Sequence, residues 1–386
     1  MKRAGIFLGF VAVLMPVDAN VAERLEDIDR RMATTYTVVS NGVRWIDGRA
    51  LPLEGRASAD VARYYDRFTD NVTTNVNRGV HWLKRFTASM QFRFSTDSTK
   101  LYFRWHPICH LLESVNMSRQ GHSGIDVYRF DAKTRRWRYV ATGWPKSMQD
   151  GGSFEVAWKP GEACIVNLPN YNGLKDFLLG VDEGAEVKPL PQRESGVVKP
   201  VVFYGTSITQ GGCASRPGMG FVNIIGRDLD VPVVNLGFSG SGNMELEMAD
   251  HLADIDASCY VIDTLWNTGG HRHETFIRIL RAKRPGVPII VTDKYDVRGR
   301  APDGRARLAR AAYEKLSAEG YDRLYWLDWD KVYDPDGEDT VDGVHASDKG
   351  MMNIARALAP LIAKALARDA KNESVKERMH AEKRRK

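Results

Sequence analysis

The sequence predicts a three-layer α/β domain built on a parallel sheet and preceded by an all-β sandwich. Beyond Val197, short apolar runs alternate with longer amphipathic segments, an order that requires parallel strands joined by crossover helices. Between Thr87 and Trp158 the apolar period is two, in short runs broken by Gly and Asp, as in a sandwich. Pro189-Leu190-Pro191-Gln192-Arg193-Glu194-Ser195-Gly196 stands between the two patterns as a linker. A length of 386 residues suits two domains, each large enough to bury a core.

Taken in order, Met1-Lys2-Arg3, the apolar stretch 4–15 and the small residues up to Ala19 read as a signal peptide over 1–19, with the mature chain starting near Asn20. That apolar run is too short to span a bilayer, and no other segment is long and apolar enough, so no stable membrane insertion is expected. The sandwich is expected over 20–195. Residues 21–32 read as one helix, and Trp45-Ile46-Asp47-Gly48 and Leu51-Pro52-Leu53-Glu54-Gly55 are turn-rich. The runs 90–94 and 101–105 alternate apolar with polar around the turn-forming 95–100, which predicts a β-hairpin. The runs 125–130, 137–140 and 154–158 continue the alternation. Trp105, Trp137 and Trp158, at strand spacing, are expected in the core rather than on a sugar-stacking platform.

The α/β domain is expected over 196–370. Its strands are 197–204, 231–236, 258–263, 287–292 and 323–329, and its helices 220–229, 244–255, 273–284, 305–318 and 349–367. The tail 371–386 interleaves Lys with Glu and has no apolar face, so it reads as disordered or as a frayed extension of the last helix. The net charge of +6 is an end effect: the tail holds +4 and residues 1–19 hold +1, leaving +1 on 20–370. That argues against a nucleic-acid surface on the folded body.

Cys109, Cys164, Cys213 and Cys259 match no zinc spacing; Cys109 could pair with Cys164 in an oxidising compartment, or all four could be free thiols. His271-Arg272-His273 lacks a third ligand, and 205–212 lacks the G-K-[ST] ending of a phosphate loop, so neither a metal nor a cofactor is implied. Asn71-Val72-Thr73 and Asn116-Met117-Ser118 are glycosylation sequons only in a eukaryotic host.

Ser207 falls just past the C-terminal end of the first strand of the α/β domain, where open α/β sheets bind ligands. Alone it reads as a loop serine or an N-cap. The far end of the chain changes that reading: Asp342-Gly343-Val344-His345 supplies an imidazole and a carboxylate three residues apart at the mouth of the final helix. A serine hydroxyl attacks poorly until an imidazole takes its proton, and a carboxylate holds that imidazole in place. Gly237-Phe238-Ser239-Gly240-Ser241-Gly242-Asn243 and Asp263-Thr264-Leu265-Trp266-Asn267 follow the next two strands. A backbone N–H at Gly240 and the Asn267 amide are suited to holding a developing oxyanion.

Gly205-Thr206-Ser207-Ile208, the stretch from Asn235 to Gly240, Asn267 and Asp342-Gly343-Val344-His345 resemble, in order and spacing, the SGNH hydrolases, or GDSL esterase/lipase family. The resemblance covers roughly 197–370 and implies a flavodoxin-like α/β/α hydrolase domain. Trp45-to-Gly55, Phe86-Thr87-Ala88-Ser89-Met90 and Gly124-Ile125-Asp126-Val127-Tyr128 look like the sandwich that precedes a bacterial subgroup of these esterases. The resemblance implies Ser207 as nucleophile, His345 as general base and acid, Asp342 as its orienting carboxylate, and an oxyanion hole of the Ser207 and Gly240 N–H groups with the Asn267 side chain. It implies no metal. Thr206, Leu265 and Thr268 depart from the family pattern, where Asp, Gly and Asp are common. The expected activity is hydrolysis of acyl esters, acetyl above all, on carbohydrate. The alternatives are a lipid or lysophospholipid esterase and a non-catalytic carbohydrate-binding protein. The ordinary α/β-hydrolase fold is disfavoured, because Thr209 stands where G-x-S-x-G needs glycine.

Overall fold

A computed structural model describes residues 37–294, 304–328, 330 and 332–383. The signal peptide and the helix expected over 21–32 lie outside the described residues. The N-terminal half carries strands β1 (Thr37–Ser40), β2 (Val43–Asp47), β3 (Leu53–Glu54), β4 (Gln91–Thr96), β5 (Lys100–Pro107), β6 (Ile125–Asp131), β7 (Arg136–Gly143), β8 (Gly152–Ala157), β9 (Ala163–Asn167), β10 (Leu174–Asp182) and β11 (Val187–Pro189). Two short helices, α1 (Arg78–Leu83) and α2 (Arg119–Ser123), interrupt them. One antiparallel sheet has the order β1-β2-β10-β5-β8; the other runs β11-β4-β9-β6-β7, with β3 beside β4. Phe92, Phe94, Phe103, Trp105, Val127, Val166, Phe177 and Leu179 fill the space between them.

The hairpin expected around 95–100 does not form. β4 and β5 lie in different sheets, so the turn carries the chain across the sandwich, and β5 pairs with β8 and β10. Local alternation fixes which residues face inward but not which strand lies alongside. The tryptophans divide: Trp105 and Trp158 are core, whereas Trp137 is only half-buried and packs on Phe130 with ring centroids 5.3 Å apart.

The C-terminal half is a five-stranded parallel sheet, β12 (Val201–Gly205), β13 (Val233–Gly237), β14 (Cys259–Asp263), β15 (Ile289–Thr292) and β16 (Leu324–Leu327), in the order β13-β12-β14-β15-β16. This is the flavodoxin-like order, whose ligand-binding crevice opens beside the first strand, where its neighbours lead the chain in opposite directions. A single helical turn, α3 (Ser207–Gln210), follows β12. The longer helices are α4 (Phe221–Asp228), α5 (Leu246–Ala253), α6 (His273–Lys283), α7 (Gly304–Ala318) and α8 (Asp348–Lys383). Side chains of α4 and α8 pack on one face of the sheet and those of α5, α6 and α7 on the other. The described part of the basic tail is therefore helical, continuing α8 to Lys383.

Residues between β3 and β4 leave the sandwich: Phe68, Val72, Val76 and Val80 join the core of the α/β domain. All four cysteines are free thiols, and Cys109 is not joined to Cys164. No helix among the described residues is long and apolar enough to cross a membrane.

Candidate active site

Thr206, extended at the end of β12, caps α3: its hydroxyl accepts from Ile208 N, and Thr209 Oγ1 accepts from Thr206 N at 3.3 Å, a capping box. Ser207 is thus the first residue of the helix rather than its cap, and Thr206 has a structural reason to stand where the family often has Asp. The Ser207 hydroxyl lies 3.0 Å from His345 Nε2, and His345 Nδ1 lies 2.8 Å from Asp342 Oδ2. The second carboxylate oxygen accepts from His345 N at 2.8 Å and Val344 N at 3.0 Å, a turn that Gly343 permits with its φ of +84°. Partial burial pushes the Asp342 carboxyl up, but the His345 N–H groups and the Asn116 amide outweigh it and hold the acid well below the usual carboxylate range.

The strand-end loops pack tightly here. Those after β12 and β13 touch so closely that a Cβ on Gly242 would fall 1.9 Å from Gly205 O. In the β13 loop the N–H groups of Phe238, Ser239, Ser241 and Gly242 all donate, to Gly205 O, Gln210 Oε1 and, twice, Phe238 O. The Gly240 N–H has no partner among the described residues, and its φ of +64° is one that glycine adopts freely. Ser207 N–H, in the first turn of a helix, likewise has no intrahelical acceptor. After β14, Asn267 Nδ2 is buried without a hydrogen-bond partner among the described residues. His273, which opens α6, bonds Gly270 O through Nδ1 at 3.0 Å and ties this loop to the helix.

The N-terminal half supplies groups that sequence reasoning missed. Asn116 Nδ2 donates to Asp342 Oδ2 at 2.9 Å, while Ser114 Oγ donates to Asn116 Oδ1 at 3.0 Å and sets the amide's orientation. Tyr171, between β9 and β10, donates its hydroxyl to Ser207 O at 2.9 Å. Arg67 is fully buried, donates to Asn235 O at 2.8 Å and Gly237 O at 2.7 Å, and stacks over Phe238 at 4.7 Å. It braces the end of β13 from which the Gly240 loop departs. Each stands in a segment with no motif of its own; the only pattern there was the sequon at Asn116, whose amide is engaged by Asp342.

Fold and site together define an ester hydrolase of the α/β/α type. Residues 198–363 match the GDSL-like Lipase/Acylhydrolase family, and residues 43–187 match the N-terminus of SGNH-hydrolase-type esterases. The chain belongs to the SGNH/GDSL hydrolases, with the sandwich of that esterase group ahead of the hydrolase domain. No curated protein matches it. A solved structure described as a GDSL-like lipase, from Bacteroides ovatus ATCC 8483, is 27% identical with a TM-score of 0.75, over 84% of this chain and 98% of that one. The salicylyl-acyltransferase SsfX3 of a tetracycline biosynthetic pathway shares the fold at 18% identity and a TM-score of 0.67, over the same shares. A family two carbohydrate esterase from Clostridium thermocellum, solved with cellohexaose, does so at 12% and 0.52, over 72% of this chain and 93% of that one.

Proposed function

We propose that this protein is an exported serine esterase that removes O-acyl groups, acetyl above all, from carbohydrate. Ser207 Oγ attacks the ester carbonyl as His345 Nε2 takes its proton, and Asp342 holds the imidazole and stabilises its charge. The oxyanion is received by the N–H groups of Ser207 and Gly240 and by Asn267 Nδ2. Collapse expels the alcohol, protonated by His345, and leaves an acyl-serine; water, activated by the same imidazole, then releases the acid. One observation carries this reading: the Ser207 hydroxyl lies 3.0 Å from an imidazole nitrogen whose ring partner lies 2.8 Å from a carboxylate, and the Gly240 N–H and the Asn267 amide on the next strand-end loops have no partner among the described residues.

The carbohydrate preference is supported by the fold shared with the family two carbohydrate esterase and by the association of sandwich and hydrolase domains. Export is supported by the reading of residues 1–19. A lipid ester is the second reading, favoured by Leu111, Val115 and Val341, exposed apolar side chains on the loops that hold the carboxylate. The test is release of acetate from acetylated polysaccharides and from chromogenic esters of increasing chain length. Ser207→Ala is expected to abolish turnover; equal rates in the two proteins end the esterase reading. A rate that rises with chain length, with no acetate released from polysaccharide, selects the lipid ester.

A further inference from the structure

The proposed reaction leaves one group beside the relay unused. Cys213 follows α3 by three residues, is 8% exposed, and holds a φ of +67°, a backbone conformation costly for a residue with a Cβ. That backbone puts its thiol among the relay groups: the Cys213 sulfur, a ring nitrogen of His345 and an oxygen of Asp342 all lie within 4.8 Å of one another. Sulfur, imidazole and carboxylate are the donor set of a borderline-soft divalent ion, whose bonds of about 2.0 to 2.3 Å would draw the three together by roughly an ångström. His345 and Asp342 are partly exposed, so an ion can enter and keep water as its fourth ligand.

We propose that Cys213, His345 and Asp342 form a binding site for a divalent cation of the Zn2+ class, and that its occupancy reversibly inhibits the enzyme. The balance is simple: the Cys213 S–H loses its proton to solvent, His345 binds through a lone pair and keeps one proton on its other nitrogen, and nothing is oxidised. Burial, with the Asp342 charge adding to it, pushes the free thiol up to about 12. Without metal, His345 keeps its contacts to Asp342 and Ser207 and the relay is intact. The inhibition follows from where the nitrogen comes from. A metal on Nδ1 takes His345 from Asp342, and a metal on Nε2 takes it from Ser207; either way the serine loses its base. The other acidic cluster among the described residues, Asp334, Asp336 and Asp339, differs in holding the Lys349 ammonium at 3.0 Å from Asp334 and 2.7 Å from Asp336, and it carries no such inference.

The inhibition rests on the proposed esterase reading; the binding does not, and the experiment separates them. Full-length protein is titrated with Co2+ and followed by thiolate-to-cobalt charge-transfer absorption, and acetate-ester hydrolysis is measured against free Zn2+ with recovery by EDTA. Wild type is expected to develop the band, to lose activity and to regain it with the chelator. Cys213→Ser, and Cys213→Gly, whose backbone suits this φ, are expected to keep basal activity, to lack the band, and to need about tenfold or more Zn2+ for half-inhibition, since even outer-shell changes cost that much in metal affinity. Equal Zn2+ sensitivity in wild type and both variants, or a cobalt band that persists without Cys213, overturns the proposal. A wild type with the band but no esterase activity sustains the site and refutes the esterase reading.

Discussion

On the outer face of the sheet that holds β2, β5 and β10, Trp45, Tyr102 and Arg104 lie toward solvent, with the Arg104 guanidinium 4.0 Å above the Trp45 ring. On the corresponding face of the other sheet, Arg93, Asp126 and Asn167 are 7%, 0% and 0% exposed. Both faces carry polar residues at alternate positions, yet the second is an interface. Asp126 pairs with Arg216 at 3.0 Å and accepts from Gly218 N at 2.8 Å. Hydrogen bonds of 2.7 to 3.0 Å then run from Asp126 through Asn167, Asn223 and Ser89 to Asn235, on β13 itself. Each buried polar group in that chain is answered, which is the condition under which burying it is tolerable. Alternation marks the face turned away from a core without saying what lies beyond it. Here one sheet is a wall of the hydrolase domain, and the loops at its edge reach the candidate active site.

If that contrast is right, substitutions should grade by region. The largest effects belong to the relay: His345→Ala should lower kcat/KM on an acetate ester on the order of 10^5-fold and Asp342→Ala about a hundredfold less severely, because water or a carbonyl partly replaces an orienting acid. A reversed ranking would refute the assigned roles. Asn116→Ala, on the sandwich side, should lower kcat by about tenfold with KM unchanged, since it loses a charge-assisted hydrogen bond to the acid. An unchanged kcat would remove the sandwich from the chemistry.

At the interface, Asp126→Ala leaves the Arg216 guanidinium without its buried carboxylate and should cost about 3 kcal/mol in urea unfolding. A loss below 1 kcal/mol would mean that the contact behaves as surface.

One buried histidine stands behind the site in each half: His122 against the Tyr171 ring at 5.8 Å, and His273 on Gly270 O. Burial pulls both down to about 4. Because the unfolded chain takes up these protons near pH 6.5, their contribution is complete above that pH and is lost as pH falls towards 4, by about 1.4 kcal/mol per unit for each. Urea midpoints across this window, in His122→Gln and His273→Gln separately, should each flatten part of the slope; a slope unaltered in both would disprove the assignment. The smallest effect is expected on the open face, where Trp45→Ala should leave kcat/KM for a small ester within about twofold, as for a surface change away from the site. A larger fall would make that sheet part of the catalytic unit too.

Much of the hydrolase domain was legible because its signals are local. The fully buried β12, β13 and β14 are continuous apolar runs, the helices between them show their period, and Ser207, Gly240 and Asn267 each follow a strand end directly. His345 and Asp342 lie three apart on one turn, so their partnership could be read from spacing. Pairing across the sandwich could not: β4 and β5 alternate as a hairpin would, and only the packing of two sheets sends them apart.

The sequence by itself therefore determined the layer order, the strand ends and the candidate groups of the proposed relay, because each depends on neighbours within a few residues. Only the tertiary structure decided that Asn116 and Tyr171 would stand on Asp342 and Ser207, that Arg67 would brace β13, and that Cys213 would come to rest beside the imidazole. Those contacts join positions far apart in the chain, each through a polar group or two that leaves no periodicity behind. They are selected by the shape of the whole molecule, in which a buried donor is costly unless an acceptor meets it.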